Sequence, residues 1–167
     1  MKICKLSQRY QVKQLTSEDV DAIFALCQTN PMFYQYHPPF VTKESIQEDL
    51  LALPPQKDKK DKYYLGFYKE SQLIAVMDLI LDFPKQGVAF IGFFMVDQAY
   101  QKHGIGSEII QDCIQYLNIC SYQKIRLAID QGNPQSEAFW IKNHFVKTGE
   151  ECKHECGIYL PMEFTQE

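Results

Sequence analysis

Apolar positions change their spacing along this chain, and each change marks a new element. Val88 to Val96 is a near-continuous apolar run with three phenylalanines, the reading of a strand covered on both faces. After a short polar turn containing Gly104 and Gly106, apolar residues recur at Ile105, Ile109, Cys113 and Leu117, with Ile110 and Ile114 beside them. That spacing makes one broad helical stripe, so the centre of the chain reads as strand, glycine turn, helix. Upstream, Tyr10 to Leu15 alternates as a strand, and Thr16 or Ser17 caps a helix carrying Val20, Ile23, Phe24 and Cys27 on one side. Glu18, Asp19 and Asp21 fall in its first turn, where the helix dipole favours acids. Thr42 to Leu53 is a second helix through Ile46, Leu50 and Leu53, stopped by Pro54-Pro55. Tyr63–Tyr68 and Leu73–Leu81 form a hairpin, and the strand from Val88 returns antiparallel to complete a meander. Lys124–Ile129 alternates as a further strand, parallel to Val88–Val96 through a right-handed helical crossover. Pro134 suits the first position of a helix running to Asn143, and Phe145–Glu151 and Gly157–Phe164 are closing strands.

Three stretches break the pattern. Residues up to Arg9 read as a tail or an extra strand. Asn30 to Phe40, NPMFYQYHPPF, carries three prolines and is expected to be irregular. Its rings either tuck under the domain or wall a substrate pocket; Phe33, Tyr34, Tyr36 and His37 are the substrate-side candidates. An amine could sit against such rings. Gln56 to Lys62, QKDKKDK, reads as a solvated charged turn.

Length and composition narrow the function classes. The chain has 167 residues, 46% hydrophobic and 23% charged, enough for one domain over residues 1–167 with a substantial core. A net charge of −4 gives no bulk electrostatic support for a nucleic-acid partner. No stretch has the apolar length of a membrane span, and MKICKLSQRYQ lacks the apolar core of a signal peptide, so a cytoplasmic location is expected. The six cysteines include no Cys-x-x-Cys; Cys152–Cys156 is the one cluster suggestive of a metal, and without a second ligand pair no metal is expected.

The glycine turn can hold an anion. The first amides of a helix have no intrahelical partner, and the dipole adds positive charge there. Glycines let a ligand approach those amides, which suits a phosphate or pyrophosphate; Lys102 and His103 could assist from the rim. A plain strand-to-helix turn through glycines would read the same. The pattern lacks the third glycine of a dinucleotide fingerprint and the Gly-Lys-Ser/Thr of a Walker loop.

The exact residues resemble a known family. Gln101-Lys102-His103-Gly104-Ile105-Gly106 matches the Gln/Arg-x-x-Gly-x-Gly/Ala motif of the GNAT N-acetyltransferases, and Phe94-Met95-Val96-Asp97 is similar to that family's Leu-x-Val-x-Pro strand end. Asn133, Ala138, Lys142, Phe145 and Gly149 match its later segment. The resemblance covers about Tyr10 to Phe164. It implies the acyl-CoA N-acyltransferase fold: an α+β domain with a central mixed, mostly antiparallel sheet. That sheet is splayed between its fourth and fifth strands and flanked by helices on both faces, and Gly92 marks a possible bulge at the start of the splay. It also implies acetyl-CoA as acyl donor, held by Phe94, Met95, Val96, Gln101, Lys102, His103, Gly104, Ile105, Gly106 and Ser107, with Asn133 and Trp140 along the pantetheine arm.

The implied reaction moves an acetyl group onto a primary amine of a small molecule or peptide, by direct attack in a ternary complex of a monomer or homodimer. An amine with a pKa of about 10.4 is neutral in under about one molecule in a thousand at pH 7, so a base is needed. The resemblance fails at the usual catalytic positions. Trp140 stands where the family often has an acidic tyrosine, and Phe90 where it often has glutamate. Indole donates a hydrogen bond but is no acid. Asp78, which interrupts the apolar run IAVMDLIL and falls about opposite Gly92, is the candidate base; Tyr34, Tyr36, His37 and His144 are candidate acids. An acyl-CoA-binding or sensing domain without turnover is the alternative.

Overall fold

The structure, a computed structural model, describes residues 1–165. Its strands are β1 (Gln11–Gln14), β2 (Lys62–Lys69), β3 (Gln72–Leu81), β4 (Val88–Val96), β5 (Lys124–Asp130), β6 (Val146–Lys147), β7 (Cys152–His154) and β8 (Gly157–Thr165). They make one sheet in the order β1-β2-β3-β4-β5-β8-β6, with β7 also paired to β8. Only β4 and β5 are parallel; the other pairs are antiparallel. The helices are α1 (Val20–Gln28), α2 (Pro31–Tyr36), α3 (Lys43–Leu51), α4 (Ile105–Ile119) and α5 (Pro134–Lys142).

The apolar stripes dictate the layers. Ile109, Ile110, Cys113 and Leu117 of α4 pack with Leu65, Phe67, Met77 and Leu79 on one face of the sheet. Ile23, Leu26 and Cys27 of α1 and Ile46 of α3 pack with Tyr64, Val76 and Met95 on the other. Each fully buried side chain of this size contributes about 1.5–3 kcal/mol relative to exposure, so both faces of the central strands are covered. This is the mixed, helix-flanked sheet that the sequence predicts.

The sheet opens at its centre. β4 and β5 pair from Val88↔Lys124 only as far as Ile91↔Leu127. Beyond that point β4 continues against β3 and β5 continues against β8, as far as Asp130↔Tyr159. The divergence begins at a bulge. Ile91 faces Leu79, whereas Phe93 faces Asp78, leaving Gly92 as one extra residue. A Cβ at Gly92 would lie 3.0 Å from Asp78 Oδ2, so any larger residue would have to push that carboxylate aside.

Four local expectations change. Pro31–Tyr36 is helical, because Pro31 occupies the first turn, where no amide donor is required. The N-terminus is neither tail nor strand: Leu6 is fully buried, and Ser7 Oγ and the Gln8 amide each donate at 2.9 Å to Asp112 of α4, which also pairs with Arg9. Of the expected strand Phe145–Glu151 only Val146–Lys147 forms, as β6; Gly149, with φ of 85°, follows it, and β7 starts just past Glu151 at Cys152. The charged turn before β2 forms a 3₁₀ turn at Lys59–Asp61, and its last residue, Lys62, is not solvated but begins β2 with a side chain only 6% exposed.

Candidate active site

Main-chain geometry builds one wall of the central gap. The Asp97 amide donates to Ile74 O at 2.9 Å and Met95 faces Val76, which sets the β3-facing positions of β4. In an antiparallel ladder the alternate residues turn their N–H and C=O the other way, so those of Phe94 and Val96 face the gap. Two side chains occupy Val96 O: Gln101 Nε2 donates at 2.9 Å and Asn30 Nδ2 at 3.2 Å. Gln135 of α5 in turn donates to Gln101 Oε1 at 3.2 Å, so the α1–α2 junction, β4 and α5 are tied at the mouth of the gap.

The glycine turn completes that wall. Lys102 and Gly104 both adopt positive φ, 63° and 84°, folding the chain tightly into α4. The first intrahelical bond runs from the Glu108 amide to Gly104 O at 3.0 Å, and Gly104 supplies no side-chain cap. The amides of Ile105, Gly106 and Ser107 are therefore left without a partner among the described residues, an arrangement that favours an anion. The two glycines serve different needs. Gly104 is required by its backbone conformation. At Gly106 a Cβ would meet Phe139 Cε2 at 3.0 Å and Val96 Cγ2 at 3.3 Å, so its lack of a side chain allows close packing of α4, α5 and β4 rather than ligand approach.

A cleft of about 340 Å³ runs along this wall. Phe94, Met95, Val96, Gln101, Lys102, Gly104, Gly106, Ser107, Asn133 and Trp140 all line it. Two of the candidates from the sequence do not. His103 is exposed outside it, and the Ile105 side chain packs on the core under α4. Asn133 caps α5 by accepting the Ser136 amide at 3.1 Å and is itself buried. Trp140 is 6% exposed, with its ring 4.9 Å from Phe145, 5.0 Å from Phe139 and 6.0 Å from Phe94. Phe94 also stacks on Phe139 at 5.8 Å. The cleft therefore pairs an amide-rich, lysine-rimmed end at Lys102 and Lys142 with an aromatic floor.

The opposite wall, on the side of α2 and α3, is made of side chains. Phe33 lines the cleft and meets Phe93 edge-on at 5.8 Å. Beside Phe93 on β3, Asp78 Oδ2 accepts from Lys62 Nζ at 2.7 Å, while its Oδ1 is buried without a partner. Burial pushes the Asp78 carboxyl up from the ordinary carboxylate range, and Lys62 opposes that shift. His37 packs behind Phe33, ring centroids 5.2 Å apart, and its Nδ1 lies 3.1 Å and 3.2 Å from the two carboxylate oxygens of the buried Asp130. That hydrogen bond raises the His37 pKa, with burial opposing it. Tyr34 belongs to the core instead, against Phe40 and the Cys27 side, and burial drives its phenol pKa far up. Of the sequence candidates on this side only Phe33 lines the cleft; Tyr34, Tyr36, His37, Asp78 and His144 do not.

Sequence reading missed Lys62, Asp130, Asn30, Gln135, Ser136, Phe139 and Lys142. Lys62 was hidden in a lysine-rich turn, and its link to Asp78 exists only through the register Tyr64↔Asp78. Asp130 falls just past the end of an alternating run; an acid closing a buried strand was the available signal. Among the described residues no helix is long and apolar enough to cross a membrane, and no cluster of three metal-binding side chains occurs.

Comparison with known proteins follows the same architecture. The sequence model of the acetyltransferase (GNAT) family matches residues 22–145. No curated protein matches the chain in sequence. Solved structures share its fold at low identity. The Salmonella typhimurium acetyltransferase that modifies the N-terminal serine of ribosomal protein L7/L12 aligns over 97% of this chain and 98% of its own, at 16% identity and a TM-score of 0.75. The ribosomal-protein-S5-alanine acetyltransferase of Vibrio fischeri aligns over 95% and 93%, at 21% identity and 0.67. The PaiA N-acetyltransferase of Thermoplasma acidophilum, solved in complex with coenzyme A, aligns over 93% and 99%, at 14% identity and 0.67.

Proposed function

Because the chain belongs to the GNAT acetyltransferase family, we propose that it transfers the acetyl group of acetyl-CoA to a primary amine, by direct attack in a ternary complex. The observation that carries this reading is the cleft itself: an opened parallel strand pair whose free main-chain edge leads to the unpartnered amides of α4. Those residues fit the donor. The amides of Ile105, Gly106 and Ser107 suit a diphosphate, and each charge-assisted bond contributes about 1.5–3 kcal/mol. Lys102 and Lys142 add charge at the rim. The outward N–H and C=O of Phe94 and N–H of Val96 offer an amide-bearing arm the partners that β5 no longer supplies. Phe94, Phe139 and Trp140 give that arm an apolar floor. All of this lies within one domain over residues 1–167.

Acetyl-CoA supplies an activated thioester carbonyl. The main chain just past Gly92 can donate an N–H to the oxygen where charge develops. Phe33 and Phe93 meet edge-on beside that point. Asp78, its Oδ1 buried, lies behind Phe93 and holds Lys62 through Oδ2. Full proton uptake by Asp78 would strand Lys62, a cation with a side chain 6% exposed, without its counterion. Its role in this reading is thus to pair with Lys62 rather than to be the base expected from the sequence.

The second reading is a coenzyme-binding or sensing domain without turnover, which Phe90 and Trp140 at the family's usual catalytic positions favour. One experiment separates the two. Acetyl-CoA is titrated by calorimetry and by the fluorescence of the only tryptophan, Trp140. Thiol release is then followed across amines that include alanine- and serine-ended peptides, the termini modified by structural neighbours. Binding with release is expected. Binding without release for any amine selects the sensing role, and absence of binding removes both.

A further inference from the structure

We propose that His37, held by Asp130, is the group that removes the proton from the acceptor amine. The assignment rests on the acetyl-transfer reading above and adds to it the base that neither Phe90 nor Trp140 can supply.

Placement is the first argument. Asp130 ends β5, one of the two strands that diverge to form the gap, and its side chain is 9% exposed. His37 follows α2 and reaches back across 93 residues of sequence to that carboxylate. Its ring lies 5.2 Å from Phe33, a cleft-lining residue that also meets Phe93 beside the bulge. The second argument is the division of labour within the imidazole. With Nδ1–H donated to Asp130, the lone pair of a neutral ring sits on Nε2. The His37 side chain is 40% exposed, so an incoming amine can reach that atom. The third argument is support. On its other side the ring stacks on Tyr159 at 6.1 Å, and Tyr159 stacks on His154 at 3.8 Å, bracing the ring with β7 and β8.

The proton balance is closed. Nε2 takes one proton from R–NH₃⁺. The freed amine forms the C–N bond to the acetyl carbon as the C–S bond breaks. The nitrogen's second proton goes to the departing thiolate, and His37 returns its own to solvent. Asp130 stabilises the imidazolium in between. The charged and titratable groups around His37 are Asp130 from β5 and Asp49 from α3, with Tyr159 from β8 and His154 from β7 behind; Asp130 and Asp49 both favour the protonated ring. The acid limb of the rate profile should therefore lie above the ordinary histidine value of about 6.5.

The test uses the full chain, saturating acetyl-CoA and the best amine of the panel. His37→Ala is expected to lose about 10²- to 10⁴-fold in kcat, keep its calorimetric affinity for coenzyme A, and regain rate with added free imidazole. Asp130→Asn, a positioning variant, should lower kcat and move the acid limb to lower pH. Wild-type release that His37→Ala reproduces at an undiminished rate overturns the assignment alone. A His37→Ala loss that imidazole does not rescue, with the Asp130→Asn limb unmoved, also overturns it. No release from the wild type with any amine removes the acetyl-transfer reading, and this assignment with it.

Discussion

Along α4 and β4, the groups that face the cleft are main-chain amides: those of Ile105, Gly106 and Ser107, and of Phe94 and Val96. On the side of α2 the cleft is lined by Phe33, and behind it stand side chains, His37, Lys62, Asp78 and Asp130, drawn from a helix end and three strands. The first wall follows from local conformation. A left-handed Gly104 and the start of a helix create it within a few residues. The second exists only once β2, β3 and β5 have paired in register, because its members are separated by 16 and 93 residues. A wall of amides grips what is common to every turnover. A wall of side chains can differ in chemistry without disturbing the grip.

If the two walls are independent in this way, a change in one should leave the function of the other intact. The largest effect is expected at Gly106→Glu. Its Cβ would start 3.0 Å from Phe139 and 3.3 Å from Val96, so the longer side chain must push α4 away from α5 and β4 and bring a negative charge to the anion site. Loss of two charge-assisted bonds, roughly 3–6 kcal/mol, should lower coenzyme affinity by more than about a hundredfold. Calorimetry on protein shown to be folded by circular dichroism reads this, and retained affinity would contradict the placement of the anion site. A smaller change is expected from Asp78→Asn, on the other wall. Turnover should fall while coenzyme affinity holds. Lys62 is left as a buried unpaired cation, so urea denaturation should show a loss of about 3 kcal/mol; a loss of coenzyme affinity would show the walls to be coupled.

The smallest effect is the pH dependence of stability. His37 has a folded-state pKa raised by Asp130. Its contribution is therefore fully present below about pH 6.5, its unfolded value, and is lost as pH rises through the higher folded value. The wild-type Tm should decline over that window, relative to a His37→Gln variant that lacks this component. Identical Tm profiles would mean that the pair adds nothing to stability.

The same division explains what could be read from the sequence. The β4 run, the glycine turn and the α4 stripe are contiguous, and from them the fold and most of the amide wall were legible. Pro31 misled, because proline breaks a helix only beyond its first turn. Lys62 and Asp130 were out of reach for a different reason. Nothing near Lys62 in the chain distinguishes it from Lys57, Lys59 or Lys60; its burial is decided by the strand that it starts. The glycine motif was found but its two residues were given one role, since close packing against Phe139 cannot be seen without the position of α5.

The extra residue at Gly92 also resets the odd–even count along β4. Ala89 and Ile91 lie over the α4 side of the sheet, but after the bulge it is Phe94 and Val96 that do, while Phe93 and Met95 turn to the α1 side. A strand covered on both faces shows no alternation that would betray such a change of parity. Straightening the bulge with this glycine kept in the ladder would therefore exchange the two faces for every β4 residue downstream of it, and carry the aromatic floor of the cleft to the wrong side of the sheet.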